Sequence, residues 1–183
     1  MQSSTEYLEE QNEQIARGIG KVAYWAARAG YEDIVDAMIE RGARNLDGIA
    51  SSAARSGHKG LVDAMIEKGA KDFGRCALRA AEGGHKDIVV RMIELGASDL
   101  DEIADTAAFG GYKDIVDAVI ERGAKNFDEI ASTAAFRGYK DIVDAMIERG
   151  AKDFDEMIVS ARDGSKGDLA IYLLDKKRAY KSS

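Results

Sequence analysis

His58, His85, Cys76 and a dense set of carboxylates are the side chains in this sequence whose types could do chemistry. Two imidazoles could share a metal ion, a thiol could act as a nucleophile, and paired carboxylates could serve as acid and base. Their spacing argues against each role. His58 and His85 sit in two Gly-His pairs, Gly57-His58 and Gly84-His85, 27 positions apart. One structural repeat separates them, so the rings stand roughly 10 Å apart, a helix-packing distance, and cannot share a metal. A turn-stabilising hydrogen bond is the reading for both. Cys76 has no second cysteine to pair with. It takes the repeat position held elsewhere by Ile49, Ile103, Ile130 and Met157, and so reads as a small buried apolar residue. The carboxylates recur by repeat, with Asp36, Asp63, Asp117 and Asp144 in one column and Glu40, Glu67, Glu94, Glu121 and Glu148 in another. Such columns read as a solvated outer face. There is no phosphate-cradling glycine loop, nucleophile motif or Cys/His ligand set. The expectation is a protein that is not an enzyme, with no catalytic residues, no metal ligands and no cofactor.

The elements behind these positions are set by a repeat. Gly30, Gly57, Gly84, Gly111 and Gly138 step by 27 residues, and so do Gly42, Gly69, Gly96, Gly123 and Gly150. A fixed period in this range marks a stacked array, in which each unit buries its apolar face on its neighbour. In the unit that opens at Gly138, Ile142, Val143, Met146 and Ile147 lie on one helix face. Gly150 stops that helix where a left-handed residue is wanted, and Arg149 suits the negative end of its dipole. A second helix follows at once. Asp99, Asn126 and Asp153 each stand three residues before a glutamate, which is capping-box spacing. This inner helix is short and alanine-rich, as in Ile130 to Phe136. Each repeat is therefore helix, turn, antiparallel helix.

The expected organisation is a single repeat domain over 1–183. It comprises an N-terminal cap helix at 1–18, a partial repeat at 19–29, five 27-residue repeats at 30–164 and a C-terminal cap helix at 165–183. Within the first cap, residues 5–17 read as a polar helix of their own, followed by an inner helix from Val22. The tail with Lys176, Lys177, Arg178 and Lys181 reads as a solvated terminus.

Composition narrows the partners. Lys and Arg total 26 against 33 Asp and Glu, a net charge of −7. That acidity argues against duplex nucleic acid, which needs a basic footprint. The start MQSSTEYLEEQNEQ has neither the basic nor the apolar region of a signal peptide. No apolar run approaches the ~18 residues of a membrane span. The expected partner is another protein, not nucleic acid or membrane. The expected location is the cytoplasm, the host's if the source is viral or an intracellular microbe.

The string from Ala134-Ala135 through Gly138-Tyr139 to Ile142-Val143, then Gly150-Ala151, resembles an ankyrin repeat, whose pattern is AA-x-x-GH-x-x-IV followed by LL-x-x-GA. His58 and His85 match the family histidine, and Tyr31, Tyr112 and Tyr139 replace it. The resemblance covers roughly residues 19–175. It departs from the family in period, which is about six residues short of the usual ~33, and in lacking T-P-L-H, since the chain has no proline. It looks like the short ankyrin repeats of giant viruses, protists and some intracellular bacteria. The resemblance implies an all-α, ankyrin-like α-solenoid of stacked antiparallel helix pairs, without the β-hairpin finger.

It also implies where a partner would meet the chain. In ankyrin proteins the residues after Ala-Ala line the concave surface, which here singles out Arg28, Arg55, Glu82, Phe109 and Phe136, with Arg137 beside them. Comparison among the repeats adds the inner-helix column Trp25, Ser52, Arg79, Thr106, Thr133 and Ser160, from which Trp25 and Arg79 join the candidates. Phe109 and Phe136 share one position in adjacent repeats. They are either an exposed binding pair or packing in the groove between repeats. Trp25, with Tyr24, is either a second contact or a large-ring cap. The expected function is non-catalytic protein–protein interaction through the concave inner-helix face. The alternative is a structural protein that self-assembles into homo-oligomers.

Overall fold

The computed structural model describes residues 4–181, with side chains from residue 11 onward. Residues 1–3 of the expected cap at 1–18, and residues 182–183 of the one at 165–183, lie outside them. Among the described residues there are twelve α-helices and no strand. They are α1 (Ser4–Ala29), α2 (Glu32–Glu40), α3 (Leu46–Arg55), α4 (Lys59–Glu67), α5 (Phe73–Gly83), α6 (Lys86–Glu94), α7 (Leu100–Gly110), α8 (Lys113–Ile120), α9 (Phe127–Arg137), α10 (Lys140–Glu148), α11 (Phe154–Asp163) and α12 (Gly167–Lys181). Two compact units divide the chain, Met1–Gly96 and Ala97–Ser183. No described helix is long and apolar enough to cross a membrane.

The repeat chemistry explains each element. In the outer helix α10, Ile142, Val143 and Met146 are fully buried, and Asp141 lies in the first turn. Gly150 then takes a left-handed φ of 110°, and the Ala151 N–H donates to the Met146 carbonyl at 2.9 Å. This Schellman closure satisfies carbonyls that the helix leaves open. Arg149 reaches back to the Ala145 carbonyl at 3.1 Å, and Arg122 to the Ala118 carbonyl at 2.8 Å. The inner helices begin on side-chain caps where Asn45, Asp72 and Asp153 accept from the N–H groups of Gly48, Arg75 and Glu156. Two expected caps differ. The Asp99 side chain makes no cap bond. Asn126 turns its amide nitrogen to the Glu129 carboxylate instead of offering its oxygen to the backbone.

A second difference is in α1, which runs from Ser4 to Ala29 as one helix where two were expected. Gly18 and Gly20 lower helix propensity but do not break the ladder, because neither takes a positive φ.

In the first unit α1, α3 and α5 pack side by side, with α2, α4 and α6 each packed on the inner helix before it. The second unit repeats this with α7, α9 and α11 inside and α8, α10 and α12 outside. The Ala-Ala pairs are what let inner helices approach: Ala53, Ala54, Ala80, Ala81, Ala107, Ala108, Ala134 and Ala135 are all 0% exposed.

Three devices tie successive repeats together. The first is the ring after the glycine turn. His58 Nε2 lies 3.2 Å from the Arg28 carbonyl, and His85 Nε2 lies 3.2 Å from the Arg55 carbonyl. A carbonyl only accepts, so Nε2 carries the proton in both. Each ring rests on the glycine of the repeat before: a Cβ on Gly30 or Gly57 would stand 2.6 or 2.5 Å from it. The expected turn bond is thus a bond between repeats. The second device is a carboxylate in the first turn of the inner helix. Asp47 Oδ1 accepts the N–H groups of Lys71 and Asp72 at 2.6 and 2.9 Å. Asp101 does the same with Lys125 and Asn126, and Asp128 with Lys152 and Asp153. The third is ionic. Asp36 pairs with Lys68 at 3.5 Å, Asp63 with Arg91 at 3.8 Å and Asp117 with Arg149 at 2.9 Å. The regular outer aspartates are therefore more than a solvated face, although exposed pairs of this kind add at most ~1 kcal/mol each.

Cys76 is 2% exposed. Burial, with Asp72 and Asp47 nearby, pushes its thiol up to about 12, so it is a packed side chain and not a thiolate at neutral pH.

Candidate partner-binding site

The inner helices bury Ala-Ala against their neighbours, and the residue that follows turns about 100° around the helix, away from that contact. In the second unit this places Phe109 near the end of α7 and Phe136 near the end of α9, 50% and 41% exposed. Neither ring is sealed in the groove between repeats. Arg137, also exposed, folds back so that its guanidinium carbon stands 4.5 Å from the centroid of Phe109. That is cation–π geometry.

Beside the two rings is an open cleft of about 580 Å³. Phe109, Phe136, Thr133 and Ser160 are among its walls, and Asp128, Glu129, Asp153 and Glu156 also line it. No lysine or arginine does. The carboxylates differ in what holds them. Asp128 accepts two backbone N–H groups, Asp153 caps α11, and Glu129 receives the Asn126 amide. The Glu156 carboxylate has no partner among the described residues. Ser132, on the same lining, has its hydroxyl buried without a hydrogen-bond partner.

The candidates in the first unit are arranged differently. Trp25 on α1 is 59% exposed, meets Tyr24 edge-on at 5.4 Å and lies under the Arg28 guanidinium, also at 5.4 Å. With Val22, Tyr31 and Ile34 it borders an apolar groove. Arg55, Arg79 and Glu82 are not three independent contacts. Arg79 grips both oxygens of Glu82 at 2.7 and 2.8 Å, and Arg55 joins at 3.3 Å. Glu82 thereby holds two guanidinium groups in one mixed-charge patch.

The structure thus brings Phe109, Phe136 and Arg137 together, and separately Arg55, Arg79 and Glu82, while Trp25 and Arg28 form a third cluster. Sequence reasoning missed the acidic lining, Glu129 and Glu156 above all. With Glu102 they recur at capping-box spacing and so read as framework. The variable column that contains Thr133 and Ser160 was the available signal for the cleft wall.

No family model matches the chain, and no curated protein matches it in sequence. Among solved structures it is similar to the human ASB11 ankyrin repeat domain. The TM-score is 0.66 at 18% identity, over 84% of this chain and 82% of that one. At that identity the likeness is one of fold, and the fold is an ankyrin-like α-solenoid of stacked antiparallel helix pairs.

Proposed function

We propose that this ankyrin-like chain is a non-catalytic protein-interaction module that grips its partner through the inner-helix face. The observation that carries this reading is the half-exposed pair Phe109 and Phe136, with Arg137 on the Phe109 ring and an open cleft beside the two. Large rings at such exposure are costly to leave in water and are the residue types on which binding energy concentrates. Trp25, Arg28, Arg55, Arg79 and Glu82 are the candidate contacts on the first unit, taken by itself. The partner is another protein, met in the cytoplasm.

The test is affinity capture from lysate of the cells that express the chain, with wild type beside Phe109→Ser/Phe136→Ser, after both are matched in helicity and melting temperature. A partner retained by wild type and lost by the variant supports the reading. Equal capture by both removes the Phe column from the site. A variant that melts well below wild type makes the rings packing residues.

A second reading, self-assembly, is favoured by the groove at Val22, Trp25, Tyr31 and Ile34. Ile34 is 42% exposed, whereas its counterparts Leu61, Ile88, Ile115 and Ile142 are at most 2% exposed. Sedimentation equilibrium over a range of concentrations tests it. A mass that rises with concentration and returns to monomer in Trp25→Ser/Ile34→Ser supports it, and a constant monomer mass excludes it.

A further inference from the structure

We infer that the cleft beside Phe136 receives an arginine side chain carried by a basic segment of the partner. This deepens the interaction reading and rests on it. Repeat register supplies the first line of support. Phe109 and Phe136 occupy the same repeat position, and Phe109 is covered by Arg137, 28 residues further on. The residue 28 after Phe136 is Gly164, which has no side chain to offer. A side chain there is also opposed by the backbone, since a Cβ on Gly164 would lie 1.8 Å from the Phe136 carbonyl oxygen. One ring therefore carries a guanidinium from its own chain. Among the described residues no cation lies over the next ring, at the same position.

Charge supplies the second line. Four carboxylates line the cleft and no lysine or arginine does. Glu156 has no partner among the described residues, and the Ser132 hydroxyl is buried without one. A ligand that satisfies these groups must donate hydrogen bonds, carry positive charge and present a flat face to a ring. The guanidinium does all three, with five N–H donors in one plane. An ammonium group matches the charge but not the stack. An acidic segment would meet like charge on the cleft walls.

The probe is an acetylated, amidated pentapeptide with one central arginine between glycines, titrated into the isotope-labelled full chain at low salt and followed by amide chemical shifts. Its counterparts carry citrulline, which keeps the shape and loses the charge, or lysine. The expected result is a saturable shift confined to residues 129–136 and 153–160, absent with citrulline and weaker with lysine. Phe136→Ser and Glu156→Gln should each weaken binding by about threefold or more. Glu156 is exposed, so its variant tests the cleft even if Phe136→Ser folds poorly. Citrulline binding as well as arginine, shifts that fall elsewhere, or unchanged affinity in Glu156→Gln would each overturn the inference. If lysate capture succeeds and depends on the Phe pair while the arginine peptide does not bind, the arginine assignment falls and the interaction reading stands. If neither occurs, both fall.

Discussion

Asp105 sits on α7 in a column that otherwise holds Tyr24, Ser51, Leu78, Ser132 and Val159. One of its carboxylate oxygens is buried without a hydrogen-bond partner. Burial pushes its pKa up, against the opposing effect of the Thr133 hydroxyl and with a push in the same direction from Glu129. A carboxyl with a raised folded pKa favours folding most below its unfolded pKa, and that contribution is lost as pH rises through the folded value. Asp105→Asn removes the penalty. Its melting temperature should exceed wild type at pH 7 and converge with it below the carboxylate range. A lower value for the variant at pH 7 would show that the ionised group is needed. Gly164 makes a second residue-level case. Its φ of −75° suits any residue, so conformational freedom is not what selects glycine here. The Phe136 carbonyl at 1.8 Å from any added Cβ is what does. Gly164→Ala should cost about 1–3 kcal/mol in chemical denaturation, the usual range for overpacking. A neutral result would mean that the end of α11 shifts freely.

Among the elements, the inner helices are held in register by aspartates that cross between repeats. Asp128, on α9, accepts from the Lys152 and Asp153 N–H groups at 2.6 and 2.8 Å, at the head of α11. Asp128→Ala leaves two donors to water. The expected loss is about 1–2 kcal/mol, small because the site is exposed. Hydrogen exchange should quicken at Lys152 and Asp153 first, and a uniform change across the second unit would deny the latch a local role. This contact also shows where sequence reading stops. The glycine steps, the Ala-Ala pairs and the outer-helix apolars specify the helix pairs because each is a residue type with one structural use at that spacing. The latch acceptor recurs at Asp47, Asp101 and Asp128, but its partner is a backbone N–H some 25 residues on, and a backbone group has no residue type to read. The split expected between residues 5–17 and the helix from Val22 is absent, because the continuous α1 absorbs Gly18 and Gly20. At the candidate site, Phe109 and Phe136 stood out by differing from their column. Glu129 and Glu156 did not, because capping gives them a reason to recur that hides a second use. The i,i+3 spacing of Arg79 and Glu82 is legible on a helix, but that Arg55 joins them could be learned only from three-dimensional proximity.

For the whole molecule, the balance of ionisable groups sets the response to acid. Asp101 is held below the usual carboxylate range by the backbone N–H groups of Asn126 and Lys125. Burial alone would raise Asp144, but Lys140 and the Tyr172 hydroxyl outweigh it and bring the carboxyl down. Lys177 lowers Asp155. Each of these groups is more acidic folded than unfolded, so each contributes stability above its unfolded pKa that is lost as pH falls through its folded pKa. Asp105 works in the other direction. Protonation also removes the negative side of a net charge of −7 while 26 lysines and arginines stay positive, and self-repulsion then favours expansion. Melting temperature followed by circular dichroism from pH 7 to about pH 3 should therefore fall, most steeply within the carboxylate range. Tyr172→Phe removes one of the groups that hold Asp144 down and should flatten the lower part of that fall, because less stability remains to be lost on protonation. A wild-type melting temperature that stayed level across the range would mean that these carboxylates gain nothing from their partners in the fold, and that apolar stacking alone holds the repeats together.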